Sequence, residues 1–122
     1  MKFHLQTSTT HIVTGCGDGW VRVGASEYRE NLVLLPDAVI TGWAAAGFDA
    51  LTEDDFSGLL ASRPEIVLLG TGAVQRFPHP RLLAPLIAAR VGVEVMDTRA
   101  ACRTFNILVG EGRRVAAALA IR

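Results

Sequence analysis

The chain has 122 residues, half of them apolar and a fifth charged, a composition that excludes an intrinsically disordered protein. Twelve basic and twelve acidic side chains cancel, so nothing in the charge predicts a nucleic-acid-binding surface. No apolar run approaches the ~20 residues that span a bilayer. We predict a single domain over residues 1–122 that neither binds nucleic acid nor spans a membrane.

The N-terminus and the cysteines indicate the cellular setting. The first 13 residues lack the apolar segment of a secretory signal and the arginine-rich character of a mitochondrial transit peptide. Cys16 and Cys102 are far apart and outside any CxxC motif, which favours reduced thiols and argues against structural zinc. We expect a soluble, cytoplasmic, bacterial protein without metal or cofactor.

The first third of the chain favours β structure. Two extended runs flank the glycine-rich residues 15–19, where glycine permits the positive φ angles of a tight hairpin turn. A third run, residues 30–36, ends at a proline. A fourth, residues 38–44, contains Gly42, which suggests a bulge or a close backbone approach.

The apolar period then changes to that of a helix. Thr52 is the predicted N-cap, because three acidic residues follow it in the first turn, where the helix dipole favours negative charge. Phe56, Leu59 and Leu60 form the buried stripe. Pro64 ends this helix.

Strands and helices alternate through the rest of the chain. Residues 65–72 are a continuous apolar run, typical of a strand covered on both faces. A second helix is predicted from about Pro80 to Arg90, with proline at its first turn. Its apolar face consists of Leu82, Leu83, Leu86 and Ile87.

The C-terminal part continues this alternation. A strand is predicted over residues 93–97, a helix from an N-cap at Thr98 to about Gly110, and a last strand over residues 113–121. Such an order favours parallel strands joined by right-handed crossovers. The β-rich first half must then add an antiparallel layer or extend the same sheet. We predict an α/β fold with a mixed sheet.

The Gly70-Thr71-Gly72 stretch lies where ligands bind in parallel sheets, beyond the carboxyl end of a strand. Its backbone could form an anion-binding nest, and Arg76 could add a cation. It is not a dinucleotide fingerprint, because Gln75 replaces the third glycine and the helix does not begin at once. We interpret it as a glycine turn that shapes a pocket rim.

The last predicted helix carries a second set of candidate residues. Arg99, Arg103 and Asn106 share one face, and either arginine could meet Arg76 around a cleft for a carboxylate or phosphate. The alternative is a solvated helix face. The complete set of candidate binding residues is Gly70, Thr71, Gly72, Arg76, Thr98, Arg99, Arg103 and Asn106.

Cys102 is the candidate nucleophile, because a helix N-terminus and nearby arginines lower a thiol pKa. It shares the apolar face of the helix with Ala101, Phe105 and Leu108, which favours a core residue instead. His79 is the one candidate base. Cys16 is expected to be more exposed, in a glycine turn. We assign no catalytic residue and favour a protein that is not an enzyme.

Residues 68–86 and 92–119 together resemble the family that includes the mitochondrial complex I assembly factor 3 and the adipogenesis-associated Mth domain-containing protein. The likeness is strongest from about Val39 onward. The complete pattern is specific for this family, whereas no single motif within it is. The positions that carry it are Gly70, Gly72, Gly92, Met96, Thr98, Ala101, Thr104, Phe105, Asn106, Leu108, Glu111, Gly112, Arg113, Val115, Ala118 and Leu119.

The resemblance implies a domain in β/β/α layers and, for the mitochondrial branch, a role in assembling a respiratory NADH:ubiquinone oxidoreductase. It supplies no agreed catalytic residue. Our first hypothesis is a non-enzymatic binding or assembly protein with protein partners and an exposed apolar patch near Trp43 or Phe77. The alternative is a pocket for a small molecule or anion, in a binding protein or an enzyme. The sequence leaves the oligomeric state open, a homodimer included.

Overall fold

The computed structural model describes residues 11–121. The prediction that no secretory or transit signal is present falls almost entirely on residues 1–10, outside the described part of the chain. A cytoplasmic location, a bacterial source and one domain over residues 1–122 stay predictions. Between residues 11 and 121, no helix has the length and the apolar character that crossing a membrane requires.

The first sheet is a small antiparallel meander of β1 (Val13–Gly17), β2 (Trp20–Val23) and β3 (Ser26–Tyr28). The predicted hairpin around residues 15–19 is confirmed, and Gly19 adopts a φ of 80° in its turn. Strand β3 was not predicted, because three residues are too few to display the alternation that marks a strand.

The second sheet has five strands: β4 (Leu32–Leu35), β5 (Ala38–Thr41), β6 (Ile66–Gly70), β7 (Gly92–Met96) and β8 (Val115–Leu119). Their order is β5-β4-β8-β6-β7. Strand β6 is parallel to β7 and β8, whereas β4 is antiparallel to β5 and β8. The predicted mixed sheet is therefore confirmed. The β-rich first half does both things that the sequence allowed: it extends this sheet and adds another.

The five-stranded sheet lies between two layers. One face is covered by the small sheet and by α3 (Thr98–Gly110), with Phe105 fully buried. The other is covered by α1 (Glu53–Ser57) and α2 (Ala84–Ala88), with Phe56 fully buried. Every residue of β8 is buried, because this strand sits in the middle of the sheet between both layers.

The first helix begins as predicted and is shorter than predicted. The Thr52 hydroxyl accepts a hydrogen bond from the Asp55 amide, and the Asp55 carboxylate accepts one from the Thr52 amide at 2.8 Å. This reciprocal capping box confirms the N-cap. After Ser57 the chain tightens into a 3₁₀ helix over Gly58–Ser62, and Leu59 is buried there.

The second predicted helix is two short elements, a 3₁₀ helix over Pro80–Leu83 and then α2. Of its predicted apolar face only Leu86 is fully buried, and Ile87 is 63% exposed. The predicted face was therefore too wide. Side chains turn by a different angle per residue in the 3₁₀ helix than in the α-helix, so the four apolar residues do not lie on one face.

Asn106, a candidate binding residue, joins α3 to the small sheet. Its Oδ1 accepts from the Val13 amide at 2.9 Å, and its Nδ2 donates to the Val13 carbonyl at 2.9 Å. The Asn106 side chain thereby hydrogen-bonds both the N–H and the carbonyl of Val13, as the backbone of a neighbouring strand would. This contact fixes the start of β1 to the middle of α3.

We expect Asn106→Ala to lower the free energy of unfolding by about 2 kcal/mol, because both Val13 backbone groups lose their partner. Urea unfolding followed by circular dichroism measures this. The control is Ile107→Ala, a neighbouring exposed position that should stay within about 0.5 kcal/mol of the wild type. Equal stability of both variants would contradict the assigned role of Asn106.

Candidate functional site

A cleft of about 310 Å³ opens beyond the carboxyl end of β6, where the sequence predicted a site. Four segments line it: residues 16–19 of the β1–β2 hairpin, residues 72–73, residues 97–99 at the start of α3, and residues 120–121 after β8. The cleft therefore lies where the small sheet, α3 and the central sheet meet.

The Thr98 hydroxyl closes the floor of this cleft. It donates to the Ala120 carbonyl at 2.7 Å and accepts from the Gly72 amide at 2.8 Å. The Thr98 amide in turn donates to the Gly72 carbonyl at 2.9 Å. These hydrogen bonds join the segments that follow β6 and β8 to the first turn of α3. The hydroxyl proton and the Gly72 N–H are thus used within the protein.

Asp97, and not Thr98, caps α3. The Asp97 side chain accepts from the Ala100 amide at 2.9 Å, which corrects the predicted N-cap by one residue. The reason is tertiary: Thr98 is buried and its hydroxyl serves the central sheet. A carboxylate therefore already occupies the positive end of the helix dipole.

The two glycines of the Gly-Thr-Gly stretch serve packing and backbone conformation. A Cβ at Gly70 would lie 2.9 Å from Leu119 Cδ2 and 3.0 Å from Thr98 Oγ1. Gly72 adopts a φ of 97°, which L-residues rarely reach. The Thr71 amide donates to the Met96 carbonyl and the Gly72 amide to Thr98, so neither N–H is free for an anion-binding nest.

Thr71 and Arg76 organise the loop after β6, and neither residue lines the cleft. Thr71 is fully buried, and its hydroxyl donates to the Val74 carbonyl at 2.7 Å and accepts from the Arg76 amide at 3.0 Å. The Arg76 guanidinium lies 4.1 Å from the Phe48 ring centre and 3.7 Å from the Asp49 carboxylate. Arg76 therefore does not line the cleft.

The predicted binding residues are thus divided between several places. Gly72, Thr98 and Arg99 line the cleft, and Arg99 Nη1 donates to the Cys16 carbonyl at 3.2 Å. Arg103 is exposed on α3 and does not line it, so Arg76 and Arg103 do not meet there. Asp18 and Asp97 also border the cleft, so carboxylates outnumber guanidinium groups among its lining residues.

The cysteines and the candidate base give no nucleophile–base pair for covalent catalysis. Cys102 is 4% exposed, and burial raises the pKa of its thiol, with Cys16 adding to the increase. Arg99 and Arg103 act in the opposite direction with less effect. His79 Nδ1 accepts from the Arg81 amide and thereby caps a 3₁₀ helix. Cys16 lies in β1 and not in the turn, which corrects its predicted position.

Trp43 and Phe77, near which the sequence predicted an exposed apolar patch, differ in exposure. Trp43 is buried against Phe56 in an edge-to-face contact, and its indole N–H donates to the Asp55 carbonyl. Phe77 is 73% exposed, and Val74 in the same loop is 63% exposed. The exposure of Val74 was not predicted. The sequence does contain a signal for it, since Val74 is an apolar residue in a loop bounded by glycine and proline.

A family model for proteins of unknown function (DUF498/DUF598) matches residues 13–120. The Mus musculus protein named NADH dehydrogenase (ubiquinone) 1 alpha subcomplex assembly factor 3 is 43% identical over 89 residues. Those residues are 71% of this chain and 48% of that relative, so the chain spans about half the length of the assembly factor.

Two solved structures share the fold. A Bordetella parapertussis protein superposes with a TM-score of 0.83 at 38% identity, over 93% of this chain and 98% of its own. A Mth938-like domain from Bordetella pertussis superposes with a TM-score of 0.71 at 31% identity, over 99% and 92%. The family resemblance and the layered α/β fold are thus confirmed.

We expect Thr98→Val to lower the free energy of unfolding by about 2–3 kcal/mol, because the Gly72 N–H and the Ala120 carbonyl lose their partner without a change in side-chain shape. Thr98→Ser keeps the hydroxyl and should cost only about 1 kcal/mol for the lost methyl group. Chemical denaturation of both variants tests this. A valine variant at least as stable as the serine variant would mean that the hydroxyl does not hold the cleft floor.

Proposed function

The chain belongs to the family of proteins of unknown function DUF498/DUF598, and we propose that it is a non-enzymatic binding protein that assists the assembly of a respiratory NADH dehydrogenase. The observation that carries the proposal is the 43% identity to a relative named as an assembly factor for that enzyme. The relative is about twice as long as the chain. We assign to this domain the binding of a protein client.

The geometry of the cleft favours binding over catalysis. Its floor is held by Thr98, its helix N-terminus is occupied by Asp97, and Arg99 donates to a backbone carbonyl. A nucleophile paired with a base is the minimum for covalent catalysis. Cys102 is buried, and His79 accepts a backbone hydrogen bond elsewhere.

We assign the client contact to the loop of residues 71–79, here called the binding loop. It presents Val74 and Phe77 to solvent, and Arg76, which lies between them in the sequence, holds its guanidinium over the Phe48 ring. Aromatic side chains and arginine are enriched in protein interfaces, and exposed apolar groups gain free energy when a partner covers them.

The binding loop is ordered before it meets a partner, which reduces the entropy lost on binding. The Thr71 hydroxyl fixes its first turn through the Val74 carbonyl and the Arg76 amide. Further along, Gln75 Nε2 donates to the Val95 carbonyl of the edge strand β7 at 3.0 Å. The exposed side chains are therefore held on a fixed backbone.

We expect Phe77→Ser and Val74→Ser each to reduce recovery of NADH dehydrogenase subunits with the tagged protein from its native cells by about tenfold or more. Quantitative mass spectrometry measures the recovery, and native gels measure the assembled enzyme. The matched control is Ile107→Ser, because Ile107 is 61% exposed and lies on α3.

The outcomes separate the two parts of the proposal. Equal recovery with all three variants would move the contact to another surface. If the wild type recovers no subunit, and deletion of the gene leaves the amount of assembled NADH dehydrogenase unchanged, the assembly role itself is contradicted.

A further inference from the structure

Strand β1 is attached to α3 at two points, one near each end of the strand. Asn106 holds the Val13 backbone, and the Arg99 guanidinium binds the Cys16 carbonyl at 3.2 Å. Arg99 and Asn106 are seven residues apart on the helix, a rise of about 10 Å. Val13 and Cys16 are three residues apart on the strand, also about 10 Å. The strand therefore runs along this segment of the helix.

Cys102 lies on the helix between these two attachments, and Cys16 lies on the strand beside it. Cys102 belongs to the buried apolar cluster between the two sheets, and the Cys16 side chain packs against the same cluster. Burial is the largest cause of the raised pKa of Cys102, and Cys16 adds to the increase by its charge and by hydrogen bonding. The full sequence contains no third cysteine.

The two thiols differ in access. Cys16 is partly exposed and is one of the residues that line the cleft of about 310 Å³, whereas Cys102 is 4% exposed and does not line it. Because Cys16 is the more exposed of the two residues, we expect a small oxidant in the cleft to reach its sulfur before that of Cys102. Both residues are free thiols in this structure.

We propose that Cys16 and Cys102 are an oxidation site at which hydrogen peroxide forms a reversible intramolecular disulfide. Cys16 is the peroxide-reactive thiol and Cys102 is the resolving thiol. The inference rests on the juxtaposition of β1 and α3 and is independent of the proposed role in assembly.

The reaction balances in two steps. The Cys16 sulfur attacks peroxide, the O–O bond breaks, an S–O bond forms and one water leaves, so that Cys16 becomes a sulfenic acid. The Cys102 sulfur then attacks the Cys16 sulfur, an S–S bond forms and the S–O bond breaks. The Cys102 proton and the departing hydroxide leave as a second water. Two thiols and one peroxide yield one disulfide and two waters, and a dithiol reductant reverses the change.

The disulfide would link the hairpin of the small sheet to α3 across a long stretch of chain. A cross-link between residues 16 and 102 restricts the unfolded chain strongly, so the oxidised protein should melt at a higher temperature than the reduced protein. It would also tie the edge of the cleft at Cys16 to the helix.

The experiment treats the whole purified chain with hydrogen peroxide and maps its peptides by mass spectrometry. The expected product is a peptide pair joining Cys16 to Cys102, with the loss of two hydrogen atoms and of both titratable thiols. Dithiothreitol should restore both thiols and the lower melting temperature. Because the reaction is intramolecular, its rate should not change when the protein concentration is raised tenfold.

Single variants test the assigned roles. In Cys102→Ala the Cys16 sulfenic acid has no resolving partner, so this residue should gain two oxygen atoms as a sulfinic acid. In Cys16→Ser the buried Cys102 should stay a thiol under the same treatment. Cys102→Ser provides a second resolving-site variant if the alanine variant fails to fold.

Three results would overturn the proposal. One is sulfinic acid at Cys16 in the wild type without any linked peptide pair. Another is disulfide formation only between molecules, with a rate that rises with protein concentration. The third is oxidation of Cys102 in the Cys16→Ser variant at the wild-type rate.

Discussion

The hydroxyl of Thr98 is the constraint on which the local structure depends. It accepts from the amide that follows β6 and donates to the carbonyl that follows β8, so one oxygen fixes two strand ends to the start of α3. Several sequence features follow from it. Gly70 has no room for a side chain, because a Cβ there would lie 3.0 Å from Thr98 Oγ1 and 2.9 Å from Leu119 Cδ2. Asp97 must cap the helix, because Thr98 faces the sheet.

The composition of β8 follows from its position. It pairs with β4 on one side and β6 on the other, and both faces of the sheet are covered there. Its central residues, Ala116, Ala117 and Ala118, leave room for the large side chains of both layers, including Phe56 on one face and Phe105 on the other. Small residues in the middle strand thus let aromatic side chains fill both cores at ordinary packing density.

Features with a local cause could be predicted from the sequence. The capping box at Thr52, the hairpin and the buried strand β6 each have a signal within a few residues. Features with a tertiary cause could not. Strand β3 owes its existence to pairing with β2, and the exposure of Ile87 to a change of helical period. Only three-dimensional contacts direct Arg76 toward Phe48 and Asn106 toward Val13.

The same contacts explain why the loop after β6 exposes apolar side chains. The loop after β6 uses its polar groups internally: Thr71 and Gly72 bond to the chain, and Gln75 binds the edge strand. What remains for a partner is the apolar surface of Val74 and Phe77, held on a fixed backbone. A loop with satisfied polar groups and exposed apolar side chains gains little from binding a small anion and much from being covered by a protein. The physical preference of this surface therefore agrees with the family likeness to an assembly factor.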